Sequence, residues 1–280
     1  MRGFNRNRLK YKVNDKFFDK WTSQMAYVLG FTYADGNIYK TSLSWDIQKR
    51  DLDILIKMNN AFQSTYLIKE QRGTSNRLRI NNWKLIEGAM KRGLLPKKSL
   101  RLVFPEVPET LMRHFVRGYL DGDGWIANRS GRNEVDLGFV CGNKEFLSTL
   151  LNIFEKTLKV TGRVRTKIKI TPKGFKSTTY LLEYYSSSAV EIADWLYKDM
   201  KAEDLYLERK HHKYLEAKII YNKIFGKMKT KKQIQREFRK PMDDILLRLH
   251  AKQHLNGMQI SKVLGTSKSS VYRWLESTSV

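Results

Sequence analysis

The sequence predicts an α+β protein made of two pseudo-symmetric α/β halves, followed by a small all-α domain. Three observations predict it. A glycine-bearing helical motif occurs twice, 88 residues apart, as YVLGFTYADGNI and FVRGYLDGDGWI. Similar strand and helix patterns follow each copy. Past residue 220 the composition turns basic, and short amphipathic segments alternate with turn signals.

In the two motifs Ala26, Gly30, Ala34, Asp35 and Gly36 correspond to His114, Gly118, Gly122, Asp123 and Gly124. Each helix is expected to stop at Asp-Gly, with Gly36 or Gly124 in the left-handed conformation. The small residues fall at i, i+4 and i+8, so the two helices are expected to pack side by side. His114 breaks that small-residue face, which predicts looser contact at its end.

Residues 41–48 alternate, with Leu43, Trp45 and Ile47 on one face and Ser42, Ser44, Asp46 and Gln48 on the other. Residues 134–141 alternate likewise, with Val135, Leu137, Phe139 and Cys141 inward. Helices are predicted over 51–62 and 144–158. Then Arg77, Arg79 and Asn81 alternate with Leu78 and Ile80, and Arg163, Arg165, Lys167 and Lys169 with Val164, Ile168 and Ile170. Each half thus reads as helix, hairpin, helix, hairpin, helix around a one-faced antiparallel sheet, over residues 1–105 and 106–225.

Residues 226–241 hold seven basic residues and one acid and read as a linker ended by Pro241. Residues 242–280 read as three helices: 242–255, closed by Asn256-Gly257, then 258–264, then 267–275 after Gly265. Leu246, Leu249, Ile260, Val263, Leu264, Val271, Trp274 and Leu275 form their apolar set. That spacing suits a helix-turn-helix, with Ser267 capping the last helix and Lys268, Ser269, Ser270, Tyr272 and Arg273 facing a groove or backbone.

Charge narrows the function. The 280 residues carry 53 Lys+Arg against 28 Asp+Glu, a net +25, and the pI is near 10.0. Such a surplus points to a polyanion and away from acidic proteins or small neutral substrates. Hydrophobic residues at 41% rule out wholesale disorder. No apolar run suits a membrane span, and residues 1–10 lack a signal-peptide core. The single Cys141 has no partner for a disulfide or zinc knuckle. An intracellular setting, cytoplasmic or nucleoid-associated, is expected.

Residues 159–176 hold seven basic residues and no acid. A merely solvated strand face has no need of such one-sided charge. The polar strand faces are therefore read as contacts to phosphates and base edges. They comprise Ser42, Ser44, Asp46, Lys69, Gln71, Arg77, Arg79 and Asn81 in the first half, and Arg129, Arg132, Asp136, Arg163, Arg165, Lys167, Lys169 and Lys173 in the second.

Side-by-side packing of the motif helices would bring Asp35 and Asp123 together, each at the negative end of a helix dipole. Two such carboxylates repel unless a cation joins them. Oxygen ligands and substrate phosphates are the usual setting of Mg²⁺, and such a site suits phosphodiester hydrolysis. The backbone at Ala34 and Gly122 could add ligands. His211 and His212 are not needed by a hard-oxygen site and are read as phosphate contacts or solvated groups.

These residues give the chain a resemblance, over roughly residues 20–220, to monomeric two-motif LAGLIDADG homing endonucleases. LGFTYADG, and GLLPKKSLRLVFPEVPETLMRHFVRGYLDGDGW with its PKKS and FP segments, carry it. Tyr33 departs from the motif where an acid often stands. The resemblance implies a DNA-binding saddle and cleavage across the minor groove leaving 3′ overhangs. It implies mobility of an intron or intein type, and a monomer acting on double-stranded DNA. It also implies Mg²⁺ as cofactor, with Mn²⁺ substituting and Ca²⁺ binding without supporting cleavage. An auxiliary polar residue matches Gln48, and its second-half counterpart falls at Gly142 or Asn143, of which only Asn143 has a side chain to offer. Catalytic lysines match Lys98, with Lys97 as the alternative register, and Lys210.

Two other classes share these features. One is a non-catalytic DNA-binding transcription regulator, against which the intact Asp-Gly ends argue. The other is an RNA maturase assisting intron splicing, which makes RNA a second partner to test.

Overall fold

Every residue from Met25 to Tyr33 is buried in helix α1 (Ser23–Asp35), and every residue from His114 to Asp121 in helix α4 (Met112–Asp123). A helix covered all round belongs to a core, and these two pack against each other as the repeat predicts. The computed structural model describes residues 11–96, 102–129, 134–170, 174, 176–225 and 228–278. They fall into two units, 1–218 and 219–280.

In the first unit each motif helix leads into a four-stranded antiparallel sheet. Strands β1 (Gly36–Tyr39), β2 (Ser42–Gln48), β3 (Ile68–Gln71) and β4 (Ser75–Ile80) take the order β1-β2-β4-β3. Strands β5 (Gly124–Arg129), β6 (Glu134–Cys141), β7 (Val164–Ile170) and β8 (Lys176–Tyr185) take the same order, β5-β6-β8-β7. Helices α2 (Leu52–Ala61) and α3 (Trp83–Lys91) complete the first half; α5 (Lys144–Leu158) and α6 (Ser186–Leu196) complete the second.

The inward residues expected of β2, β4 and β6 are buried, whereas β7 departs from expectation, with Ile168 and Ile170 exposed. Leu43, Trp45, Leu78 and Ile80 are fully buried on one sheet, and Leu137, Phe139 and Leu182 on the other. Trp45, paired with Leu78 across the sheet, also donates its indole N–H to Thr32 Oγ1 at 3.1 Å, fixing sheet to helix.

Gly36 and Gly124 correct an expectation. Neither is left-handed: their φ, ψ values are −76°, 147° and −121°, 179°, extended backbone that any residue adopts. Space requires glycine there instead. A Cβ at Gly36 would stand 2.6 Å from the carbonyl oxygen of Thr32, and one at Gly124 would stand 2.7 Å from that of Leu120. The strand therefore leaves each helix with no turn residue between them.

Helix α7 (Glu208–Phe225) begins in the first unit. The second unit holds α8 (Lys231–Phe238), α9 (Met242–Leu246) with a π-helical continuation over Leu247–Lys252, α10 (Gly257–Leu264) and α11 (Lys268–Ser277). Its core is Ile234, Met242, Ile245, Leu246, Leu249, Ile260, Leu264 and Val271. Residues 226–241, expected as a linker, thus contain a helix whose Ile234 is fully buried in that core. Thr230 and Gln233 cap it reciprocally. Val263, placed in the apolar set, is instead 52% exposed. Asn256 does not close the helix before it; it starts α10 in a capping box with Gln259. Gly265 is left-handed at φ 63°, and Ser267 caps α11 by accepting from Ser270 N at 3.0 Å, both as expected.

Candidate functional site

Glycine sets the distance between the motif helices. A Cβ on Gly30 would collide with the carbonyl oxygen of Phe115, and one on Gly118 with that of Tyr27. Backbone meets backbone at both places. His114 was expected to loosen one end, yet the Gly30–Phe115 approach lies one residue on, and the imidazole is buried. At the other end a Cβ on Gly122 would collide with that of Ala34 and stand 3.4 Å from Asp35 Oδ2. The C-terminal turns therefore adjoin, with Asp35 exposed and Asp123 half-buried. The Tyr119 phenol is held well above its ordinary pKa by burial first and by the Cys141 thiol, and both Asp123 and Asp35 add to the shift. One buried phenol thus feels both carboxylates.

Lys210 was expected to be a catalytic cation. It is instead buried, and its three ammonium protons go to the carbonyl oxygens of Leu120, Asp121 and Gly124 at 2.6, 2.8 and 2.7 Å. Those carbonyls lie where α4 gives way to β5, and the one at Leu120 also accepts from Gly124 N. Burial pulls its pKa down to about 8 against the opposing charge of Asp121. Lys210 is a helix cap supplied from a distant segment.

A polar network that sequence patterns did not reveal surrounds it. Asp121 is buried and accepts from Tyr27 Oη at 2.7 Å and Leu207 N at 2.8 Å. Burial raises its pKa, opposed by Lys210. Arg117, fully buried, donates to Leu205 O at 2.9 Å, Leu196 O at 2.8 Å and His114 Nδ1 at 3.0 Å. Because arginine only donates, that imidazole nitrogen is an acceptor. Burial, then the Arg117 charge, hold His114 down to about 4. At the start of α7, Arg209 pairs bidentately with Asp51 at 2.7 and 3.0 Å, and Glu208 meets Lys57 at 2.9 Å.

Register places the other expected residues. Ser42, Ser44, Asp46 and Gln48 share one face of β2, and Ser44 and Asp46 pair with Arg79 and Arg77 of β4. Lys69 and Gln71 continue that face on β3. Gln48, Arg79, Lys69 and Asn81 are exposed and Gln71 half-buried. Burial pushes the Asp46 carboxyl pKa up, but the hydrogen bonds from Ser75 and from Arg77, which binds it, bring it below its ordinary value. Ser42 and Ser44 are corrections: both are buried, and Ser42 Oγ donates to Tyr39 O at 2.9 Å. Arg163, Arg165, Lys167 and Lys169 are exposed on one side of the second sheet, with Arg165 3.8 Å from Glu183. Asp136 lies on that side but is buried, contrary to a contact role.

Asn143 is corrected too: its Oδ1 caps α5, accepting from Glu145 N at 2.8 Å. His211 is not solvated but packs on Tyr197 and Tyr206, ring centroids 4.8 and 4.9 Å away, whereas His212 is exposed. Lys97, Lys98, Arg132 and Lys173 lie outside the described residues, as does the side chain of Arg129. Lys268, Ser269 and Tyr272 are exposed on α11, and Ser270 and Arg273 half-buried.

Among the described residues no three His, Cys, Asp or Glu side chains cluster as metal ligands. No described helix is long and apolar enough to cross a membrane.

Comparison with known proteins follows the geometry. Residues 110–195 match the model of the LAGLIDADG-like domain family. The I-SmaMI LAGLIDADG homing endonuclease bound to cleaved DNA is similar at TM-score 0.51 and 14% identity, covering 73% of this chain and 91% of that one. The LAGLIDADG homing endonuclease I-GzeII with its DNA target gives TM-score 0.46 and 14% identity, covering 73% and 92%. The I-SmaMI match shows that the two-sheet unit has the two-unit LAGLIDADG fold. No curated protein sequence matches the chain.

Proposed function

We propose that this chain, with its LAGLIDADG-like domain at residues 110–195, is a site-specific double-strand DNA endonuclease that requires a divalent cation. One observation carries the reading: the glycine-packed helices bring the turns bearing Asp35 and Asp123 together, flanked by two sheets with basic outer faces. The proposed donors, two carboxylates and backbone carbonyls, are all oxygen and suit a hard cation. Asp35 and Asp123 would hold Mg²⁺, with the backbone of Ala34 and Gly122 as supplementary donors and Mn²⁺ as a substitute. Ca²⁺ would bind without supporting cleavage. The bound cation supplies Lewis acidity and charge neutralisation at the scissile phosphate.

The protein's own groups do the positioning. Gly30 and Gly118 set the spacing of the two carboxylates, and Lys210 fixes the turn that carries Asp123. Gln48, exposed at the end of β2, would orient water or phosphate. Arg77, Arg79, Lys69, Arg163, Arg165, Lys167 and Lys169 grip the duplex backbone and base edges. The product is a pair of 3′ overhangs cut across the minor groove, as in intron or intein mobility, made by a monomer. Helices α10 and α11 act as a helix-turn-helix that adds contacts through Ser267, Lys268, Ser269, Ser270, Tyr272 and Arg273.

The test is cleavage of a plasmid pool carrying random inserts, in Mg²⁺, with both ends of every cut mapped. Staggered cuts within a shared sequence support the reading. Sequence-selective retention without cutting in Mg²⁺ or Mn²⁺ favours a transcription regulator. Preference for structured RNA at matched salt favours a maturase.

A further inference from the structure

The sheet registers align the two halves residue by residue. Gly36, which opens β1, pairs with Trp45, and Gly124, which opens β5, pairs with Phe139. Counting on from those pairs, Asp46 and Gln48 at the end of β2 match Val140 and Gly142 at the end of β6. The neighbouring strands agree, since Trp45 pairs with Leu78 and Phe139 with Leu182. One residue into the first strand of each sheet, Asn37, opposite Ser44, matches Trp125, opposite Gly138.

The matched positions differ in chemistry beside the two carboxylates. On the Asp35 side Asn37, Asp46 and Gln48 are all polar and all exposed. On the Asp123 side the same places hold Trp125, Val140 and Gly142. A Cβ on Gly138 would collide with the Trp125 indole, so that ring lies across the outward face of the sheet, two residues from Asp123. Asn143 is engaged in capping α5, and the three ammonium protons of Lys210 are engaged by carbonyls. One half therefore presents the amides of Asn37 and Gln48 to water. The other presents an indole and a glycine.

Hydrolysis of either strand needs the same events. A water oxygen bonds to phosphorus, the bridging P–O bond breaks, the water gives up a proton and the departing oxygen takes one up. An amide beside the phosphate acts by holding that water in line with the breaking bond. Losing one hydrogen bond made in the transition state slows such a step by about tenfold. Resting on the nuclease reading above, we infer that the two strands are cut at unequal rates. The half of residues 106–225 serves the slower cut, duplex nicked on one strand is the intermediate, and Gln48 sets the ratio.

The test uses the full-length protein and a supercoiled plasmid carrying a site selected from the random-insert pool. In Mg²⁺ the open circle should accumulate before the linear form, with one strand cut about tenfold faster than the other. Gln48→Ala should slow that faster cut alone, by about the same factor, and leave metal-free retention of the site unchanged. Gly142→Gln should speed the slower cut alone. Equal rates in the wild type, or an equal fall of both cuts in Gln48→Ala, overturn the inference. So does a loss of metal-free retention in Gln48→Ala that matches its loss of cutting, because Gln48 is then a binding contact. A folded Gly142→Gln with an unchanged strand ratio overturns it as well; should that variant not fold, Gln48→Ala decides. Failure of the wild-type protein to cut either strand overturns the nuclease reading itself, whereas equal cutting of both overturns only the inequality.

Discussion

Tyr33 and Asp121 occupy equivalent positions in the two motif helices and serve opposite chemistry. The Tyr33 phenol donates to Arg92 O at 3.0 Å, and its ring lies 5.4 Å from that of Phe115 on the other helix. Asp121 accepts from Tyr27 Oη and Leu207 N and balances the charge of Lys210. The acid that survives in only one motif is thus a buried tie, while the final acids of both motifs adjoin.

Two acids two residues apart should therefore behave differently. Asp123→Asn, like Asp35→Asn, should abolish double-strand cleavage and leave DNA affinity and melting temperature nearly unchanged. Asp121→Asn should cost about 1–3 kcal/mol of stability by disturbing a buried hydrogen-bonded charge. Denaturant titration and cleavage assays on the three variants separate them. Wild-type cutting by Asp35→Asn or Asp123→Asn would remove the shared site.

Lys210→Met should lose several kcal/mol, because the carbonyls of Leu120, Asp121 and Gly124 all lose the ammonium that joins them. Lys210→Arg should not restore them, since a planar fork cannot aim at three carbonyls around one point. If Lys210→Met unfolds at the wild-type denaturant midpoint yet fails to cut, the lysine acts on substrate and is not a cap.

Gly118→Ala should be more damaging than a usual helix substitution, although alanine favours helix. The added methyl meets the Tyr27 carbonyl of another helix, and overpacking against backbone costs about 1–3 kcal/mol or more. A melting temperature at or above wild type would show that the helices can separate freely.

His114 gives a pH dependence. Its folded pKa is depressed to about 4 from 6.5. Between those values the unfolded chain binds the proton and the native chain does not, so stability is present above pH 6.5 and is lost as pH falls towards 4. Arg117 and Arg113 oppose protonation; Asp204 favours it and is itself lowered, beneath this window. Urea midpoints across the window should drop more for the wild type than for His114→Gln. Equal slopes would refute it.

Removing residues 228–280 should leave a folded unit that still cuts, with weaker and less selective binding, because a tethered module adds affinity through effective concentration. Removing only 241–280 should be worse, since it strips the core around Ile234 and leaves that side chain exposed on α8. Aggregation measured by light scattering distinguishes the two truncations. Identical solubility would show that α8 does not belong to the tail's core.

What the sequence made legible was what local pattern encodes. The paired Gly30 and Gly118 announced close helix contact, strict alternation announced Leu43–Trp45–Ile47, and Ser267 announced the start of α11. What stayed hidden depends on partners far along the chain. Lys210 reads as a surface cation until its carbonyls, some 90 residues earlier, are seen. His211 reads as solvated until Tyr197 and Tyr206 close on it. Asn143 satisfied a family correspondence and a capping rule together, and the cap is what its side chain does. Gly36 and Gly124 were legible as glycines for the wrong reason, since crowding leaves no mark in local sequence.

The start of α7 has a consequence for modularity. Arg209 and Glu208 follow the second repeat in sequence but bond to Asp51 and Lys57 of the first, while Lys210 beside them bonds into α4. The repeats are therefore not interchangeable cassettes. A chimaera that takes its N-terminal half from another protein and joins it at residue 105 leaves Arg209 facing a foreign surface. Grafts that carry over Asp51 and Lys57 with the junction keep this stitch, and recombination between relatives is constrained at those two positions as well as at the motif helices.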